Sequence, residues 1–199
     1  GESNPETRLA AQKILVRGND VLLLISEYLN KSKMEIGKIS FTRDTFDSVA
    51  TVAALVEDFR PHALIRNLTL ETDIDRSQPI LISADEPKLR EVLGNIIDNS
   101  LKYTKEGGVQ VCVERHGVSA RITVSDTGVG ILPEIMPQLF KKFSRVDAQK
   151  ANLLGTGVGL YLGKTFIEGM GGRIWAESDG LGKGSRFIIE FPVVTSAIV

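Results

Sequence analysis

Three patterns in the 199-residue chain predict an α/β domain preceded by one long helix. Apolar residues recur at helical spacing in the first part of the chain. From Lys38 onward the period changes, and short runs alternate apolar and polar residues as strands do. Glycine-rich turns separate those runs from further helical stretches. The expected division is residues 1–37 and 38–199.

Asn4-Pro5-Glu6 reads as an N-cap, a proline at the first helical position and an acid in the first turn, opening a helix to about Met34. Leu9, Ile14, Val21, Leu24, Ile25 and Leu29 form its apolar face. About 30 residues extend roughly 45 Å, so part of that face is expected to meet another helix; a surface helix packed on its own domain is the plainer alternative. Next, Ile39–Thr42 alternates like a strand, and Asp47-Ser48 starts a helix carrying Val49, Val52, Ala53, Leu55, Val56 and Phe59, with Pro61 near its end. Leu68–Thr72 and Ile80–Ile82 read as strands, and Glu86–Lys102 as a helix stopped by Lys105-Glu106-Gly107-Gly108. Val109–Val113 and Ala120–Val124 form a hairpin through His116-Gly117. The irregular stretch from Leu132 to Gly159 has the length of a functional lid. A helix from Leu160 to about Glu168 and strands Arg173–Ala176 and Ser185–Phe191 close the chain.

Composition narrows the function. With 24 basic and 25 acidic residues and 42% apolar content, the chain has a core but no broad basic surface, which argues against a nucleic-acid partner. Cys112 is the only cysteine, so no intramolecular disulfide can form, and neither CxxC nor HExxH metal spacing occurs. That fits a reducing, cytoplasmic compartment. The apolar run Val21–Ile25 is too short to cross a bilayer, and the parent protein could still be membrane-anchored upstream. The abrupt Gly1-Glu2-Ser3 opening reads as a cut in a longer chain.

Four features carry candidate chemistry. Asn95 and Asn99 lie four apart on one helix face, and their amide oxygens suit a hard Mg²⁺ that shares its shell with water and phosphate. Lys102 can neutralise phosphate and Tyr103 can stack on a base. Alone, such a pair is weak evidence and is more often a solvated helix face. Asp126-Thr127-Gly128-Val129-Gly130 follows an apolar strand, where a carboxylate can accept from an exocyclic amine and Gly128 and Gly130 admit a ligand close to the backbone; alone it is a turn. Gly155-Thr156-Gly157-Val158-Gly159-Leu160 precedes a helix, and free N–H groups there can hold phosphate. It is neither a P-loop nor a dinucleotide fingerprint. Leu139-Phe140-Lys141-Lys142-Phe143-Ser144-Arg145 lies in the expected lid, where the phenylalanines could pin it shut and Arg145 reach phosphate; a short amphipathic helix is the alternative.

Together, in this order, the four resemble the N, G1, F and G2 boxes of the histidine-kinase branch of the Bergerat-fold ATPases, which also include gyrase B, Hsp90 and MutL. Arg90–Thr104 is close to that family's N box, and Gly171-Gly172-Arg173-Ile174-Trp175 with Gly182-Lys183-Gly184-Ser185 matches its closing strands. The resemblance implies a two-layer α/β sandwich, with ATP between a sheet-side pocket and a lid. It implies adenine recognition by Asp126, Mg²⁺ held by Asn99 and Asn95, and phosphate cradled by Gly157 and Gly159, with Lys102, Tyr103 and Arg145 assisting. The first 37 residues resemble the second helix of a dimerisation and phosphotransfer hairpin.

In the gyrase B, Hsp90 and MutL branches a glutamate four residues before the metal-binding asparagine serves as general base; here that position is Asn95, which points to phosphoryl transfer rather than hydrolysis, with Glu91 one turn earlier the remaining candidate base. The phosphoacceptor motif, a His followed by Glu or Asp, is absent; His62 and His116 read as ordinary surface or partly packed histidines. The expectation is a histidine kinase catalytic region that donates the γ-phosphoryl of ATP to a histidine on a missing helix. A response regulator receiver domain would follow, and the intact parent would be a homodimer. The competing expectations are an ATP-sensing interaction module without catalysis and a gyrase- or Hsp90-type ATPase.

Overall fold

The structure, a computed structural model, describes residues 40–141 and 159–194. The predicted N-terminal helix and the division at residue 37 lie outside them, as do Phe143, Arg145 and Gly155–Val158.

Strand β1 (Asp44–Asp47) runs into helix α1 (Ser48–Ile65). Asp47 Oδ1 accepts from Val49 N at 3.0 Å, capping the helix, and from Ile80 N at 3.1 Å, tying the start of α1 to the chain beside β3 (Leu81–Ala84). A cap of this kind contributes about 1 kcal/mol. Pro61 lies near the end of the helix, as expected, and inside it, since α1 runs on to Ile65. Pro61 removes one N–H but sits on a part of α1 that is exposed, where water can satisfy the carbonyl left over.

Helix α2 (Glu86–Tyr103) starts at Asp85, whose Oδ1 accepts from Lys88 N at 3.0 Å, with Pro87 in the first turn. Leu89, Val92, Leu93, Ile96, Ile97, Ser100 and Leu101 are buried at three- and four-residue spacing, each large aliphatic contributing about 1.5–3 kcal/mol. Asn95 and Asn99 fall beside that stripe and are half-buried. Helix α3 (Gly159–Gly169) packs against α2, with Phe166 and Ile167 buried.

Strands β2 (Thr69–Ile74), β4 (Gly108–His116), β5 (Ser119–Asp126), β6 (Arg173–Glu177) and β7 (Ser185–Pro192) make one mixed sheet in the order β2-β4-β5-β7-β6. Only β2 and β4 are parallel. The alternate residues Val109, Val111, Val113, Ala120, Ile122, Val124, Phe187, Ile189 and Phe191 are buried, and the helices pack against the sheet. A mixed sheet layered with helices is the fold class that the sequence predicted. β1 and β3 form a separate pair, joined to the end of β7 by an Ile82–Val193 bridge.

One predicted strand is corrected. Residues 40–43 are not in a strand; the strand is Asp44–Asp47. Thr42 N donates to Asp85 Oδ2 at 3.1 Å, Phe41 meets the Phe166 ring edge-on at 6.3 Å, and Arg43 donates to Gly169 O at 3.2 Å. The alternating pattern therefore serves a side-chain latch onto α2 and α3 instead of a ladder.

Candidate functional site

Asp126 ends β5, and three donors hold its carboxylate. Oδ1 accepts from Gly128 N at 2.9 Å and Ser185 N at 3.2 Å, while Oδ2 accepts from Ser185 Oγ at 2.5 Å. Such a carboxylate is fixed in direction yet keeps lone pairs for a further donor. The register brings Ser185 there, opposite Asp126 across β5 and β7.

The glycines beside it are sterically required. A Cβ on Gly128 would sit 2.5 Å from Tyr103 O and 2.8 Å from Asp126 Oδ1. A Cβ on Gly184, at φ +68°, would collide with Asp126 O. Val129 N donates to Tyr103 O at 3.1 Å, so the loop after β5 is stitched to the last turn of α2.

α2 forms the other wall. Asn95, Asn99 and Tyr103 follow one another every four residues and so span about 12 Å of one helix face. Asn99 Nδ2 donates to Asn95 Oδ1 at 3.4 Å, which directs Asn99 Oδ1 away from Asn95. A Cβ on Gly159 would lie 2.6 Å from Asn95 Nδ2, so the first residue of α3 rests on that amide. Burial, then the nearby Asp98, raises the Tyr103 phenol above its ordinary value and keeps it neutral. Lys102 Nζ lies 5.5 Å from the Tyr103 ring centre. Ahead of the undescribed segment, Phe140 lies 5.7 Å from Lys164 Nζ on α3.

Of the predicted site residues, the structure thus links Asn95 with Asn99 and Gly159, and Tyr103 with the Asp126–Gly128 loop. Gly130, at φ +71°, packs on Gly180, where a Cβ would strike the carbonyl oxygen. Leu160 is half-buried in the first turn of α3. Arg145, Gly155, Thr156, Gly157 and Val158 lie outside the described residues. Ser185 and Gly184 were visible in the sequence only as part of a closing motif, and nothing in their spacing tells that Ser185 grips Asp126. His62 stands edge-on to Phe59 at 5.3 Å, and His116 Nδ1 is 3.1 Å from an Arg121 nitrogen, at the end of the hairpin away from Asp126.

The donors present fit Mg²⁺ better than a protein-caged metal. Among the described residues no group of three His, Cys, Asp or Glu could hold a metal ion, whereas amide oxygens on a helix suit a cation that keeps waters and takes phosphate oxygens. Ser100, on the buried stripe of α2 one turn before the C-cap Thr104, has the one buried side-chain polar group without a hydrogen bond among the described residues. Thr104 Oγ1 lies within 2.9 Å of the same Gly128 Cβ position. A cleft of about 440 Å³, lined by Asp73, Asp75, Glu114 and Arg115 among others, lies between the far ends of β2 and β4 and contains none of these residues.

Residues 84–195 match the model of a family described as histidine kinase-, DNA gyrase B- and HSP90-like ATPases. Among solved structures, full-length ShkA in complex with AMPPNP superposes at a TM-score of 0.78 with 25% identity, over 99% of this chain and 41% of that one. The catalytic domain of histidine kinase ThkA gives 0.63 at 26% identity, over 77% of this chain and 98% of that one. The Acinetobacter baumannii histidine kinase AdeS gives 0.71 at 21% identity, over 98% and 88%, a likeness of fold. The chain spans less than half of the ShkA length.

Proposed function

Because the chain belongs to the family of histidine kinase-, DNA gyrase B- and HSP90-like ATPases, we propose that it binds ATP with Mg²⁺ and donates the γ-phosphoryl group to a phosphoacceptor histidine. The observation that carries the choice of branch is the amide at Asn95. No carboxylate stands four residues before Asn99, and Glu91, one turn earlier, is exposed and paired with Lys88 at 2.6 Å. A site without a general base serves an acceptor activated elsewhere better than it serves water.

In this reading Asp126 accepts from the exocyclic amine of adenine and Tyr103 packs beside the base. Asn99 supplies its amide oxygen to Mg²⁺, Asn95 accepts from the Asn99 amide and orients it, and Lys102 and Arg145 counter phosphate charge. Gly155–Leu160 presents backbone N–H groups to the phosphates at the start of α3. When bound, Mg²⁺ supplies charge neutralisation on the transferring phosphoryl group. The chain's own contribution is positioning: α2 spaces the base-side and phosphate-side residues, and Gly159, the first residue of α3, rests on Asn95 on the metal side.

ShkA was solved with AMPPNP and a ThkA structure with the response regulator TrrA. By that likeness we extend the proposal to an ATP ligand and a response regulator partner; the homodimeric parent rests only on the resemblance of residues 1–37 to a dimerisation hairpin helix. The test is phosphotransfer from radiolabelled ATP to an added helical hairpin carrying a His-Glu acceptor. Label on the hairpin, lost in the acceptor His→Ala variant, supports the reading. ATP binding without transfer favours an ATP-sensing module, and turnover by the chain alone favours a hydrolase.

A further inference from the structure

We propose that Ser178 is a positioning residue for nucleobase recognition, acting through one peptide group on Asp126; the proposal rests on the adenine reading of Asp126. Ser178 directly follows β6 and is half-buried. A hydroxyl has one proton to donate and two lone pairs, and Ser178 Oγ uses all three. It donates to Gly184 O at 2.6 Å and accepts from Ile131 N at 3.0 Å and Gly180 N at 3.3 Å. Gly180 O, at 3.4 Å, is the weaker alternative acceptor for the same proton.

The bond to Gly184 O reaches the site because Gly184 C=O and Ser185 N–H belong to the same planar peptide unit. At one end of that plane Ser178 holds the oxygen; at the other, the N–H donates to Asp126 Oδ1 at 3.2 Å. Rotating the plane would break both bonds together and carry the Ser185 hydroxyl away from Asp126 Oδ2. A donor at the carbonyl also polarises the N–H that faces the carboxylate. Gly184 makes this control necessary, since a glycine at φ +68° has no Cβ to restrict the plane.

The bond from Ile131 N closes the circuit. Asp126 stands at the start of the loop that contains Ile131, so one hydroxyl holds that loop at Ile131 while orienting the carboxylate at its start. Gly184 N to Gly128 O at 3.1 Å and Gly182 N to Val129 O at 2.8 Å complete a zipper between the two loops.

The experiment measures affinity of the 199-residue chain for non-hydrolysable ATP and GTP analogues with Mg²⁺, in wild type, Ser178→Ala, Ser178→Thr and Asp126→Asn. Ser178→Ala should weaken ATP-analogue binding about tenfold with little change for GTP, so the ratio of the two falls. Ser178→Thr, which keeps the hydroxyl, should restore the wild-type ratio. The proposal is overturned if Ser178→Ala leaves the ratio unchanged, whatever it does to the melting temperature, because a merely structural hydroxyl would weaken both nucleotides alike. If wild type shows no preference, or Asp126→Asn keeps it intact, the adenine reading fails first and the role of Ser178 falls with it.

Discussion

Ser185 and Asp126 face each other across β5 and β7 and meet again through their side chains, Ser185 Oγ donating to Asp126 Oδ2 at 2.5 Å. With the Gly128 and Ser185 amides on Oδ1, the carboxylate is oriented before any ligand arrives. Replacement by an amide keeps the shape but puts a donor where an acceptor is needed. Asp126→Asn should weaken ATP-analogue binding on the order of 10- to 100-fold while moving the melting temperature by less than about 5 °C. Calorimetric titration and a thermal melt check both halves.

The site's glycines should separate by what a methyl would strike. Gly128→Ala drives a Cβ toward the Tyr103 carbonyl, which cannot yield without moving α2, so a loss of about 1–3 kcal/mol is expected, read as an earlier denaturation midpoint. Gly159→Ala instead meets the Asn95 amide, a side chain that can swing aside. It should leave the midpoint nearly unchanged and lower affinity for the Mg²⁺ complex of the nucleotide.

Ser100 points to an effect of the opposite sign. Its buried hydroxyl has no hydrogen-bond partner among the described residues, and leaving such a group unsatisfied costs about 1–3 kcal/mol. Ser100→Ala should raise the urea midpoint of the nucleotide-free chain without changing the slope. An unchanged or lower midpoint would mean that the hydroxyl is satisfied in solution.

Cys112 and Tyr103 give the chain an alkaline limit. Burial, then Glu114 and Asp73, raises the Cys112 thiol above its ordinary 9.0, and burial, then Asp98, raises the Tyr103 phenol above 10.0. In both cases the folded state favours the neutral form. Their contribution is therefore fully present below those unfolded values and is lost as pH rises through the folded ones. Denaturant midpoints should fall above about pH 9, less steeply in Cys112→Ala, and iodoacetamide should label Cys112 more slowly in the folded chain than in the unfolded one.

Much of the fold was legible because local chemistry agreed with the tertiary outcome: Asp47 and Asp85 cap the helices that they precede, and the buried stripe of α2 follows helical period. The alternation of Ile39–Thr42 misled because such a pattern also arises where single side chains latch onto a neighbour; Phe41 on Phe166 is a long-range contact that no local window contains. In the site, Asn95, Asn99 and Asp126 stood out by residue type and spacing. Ser185 and Ser178 did not, since their roles come from strand register and from a loop closing on another loop, and serine near glycine reads locally as a turn.

The most direct measurement of the central claim is calorimetric titration of the 199-residue chain with a non-hydrolysable ATP analogue, with and without Mg²⁺, in wild type and Asn99→Ala. The account predicts saturable one-site binding that Mg²⁺ strengthens, with Asn99→Ala binding only as wild type does without the metal. Absence of binding to a chain whose circular dichroism and cooperative melt show it folded, or binding indifferent to both Mg²⁺ and Asn99, would contradict it.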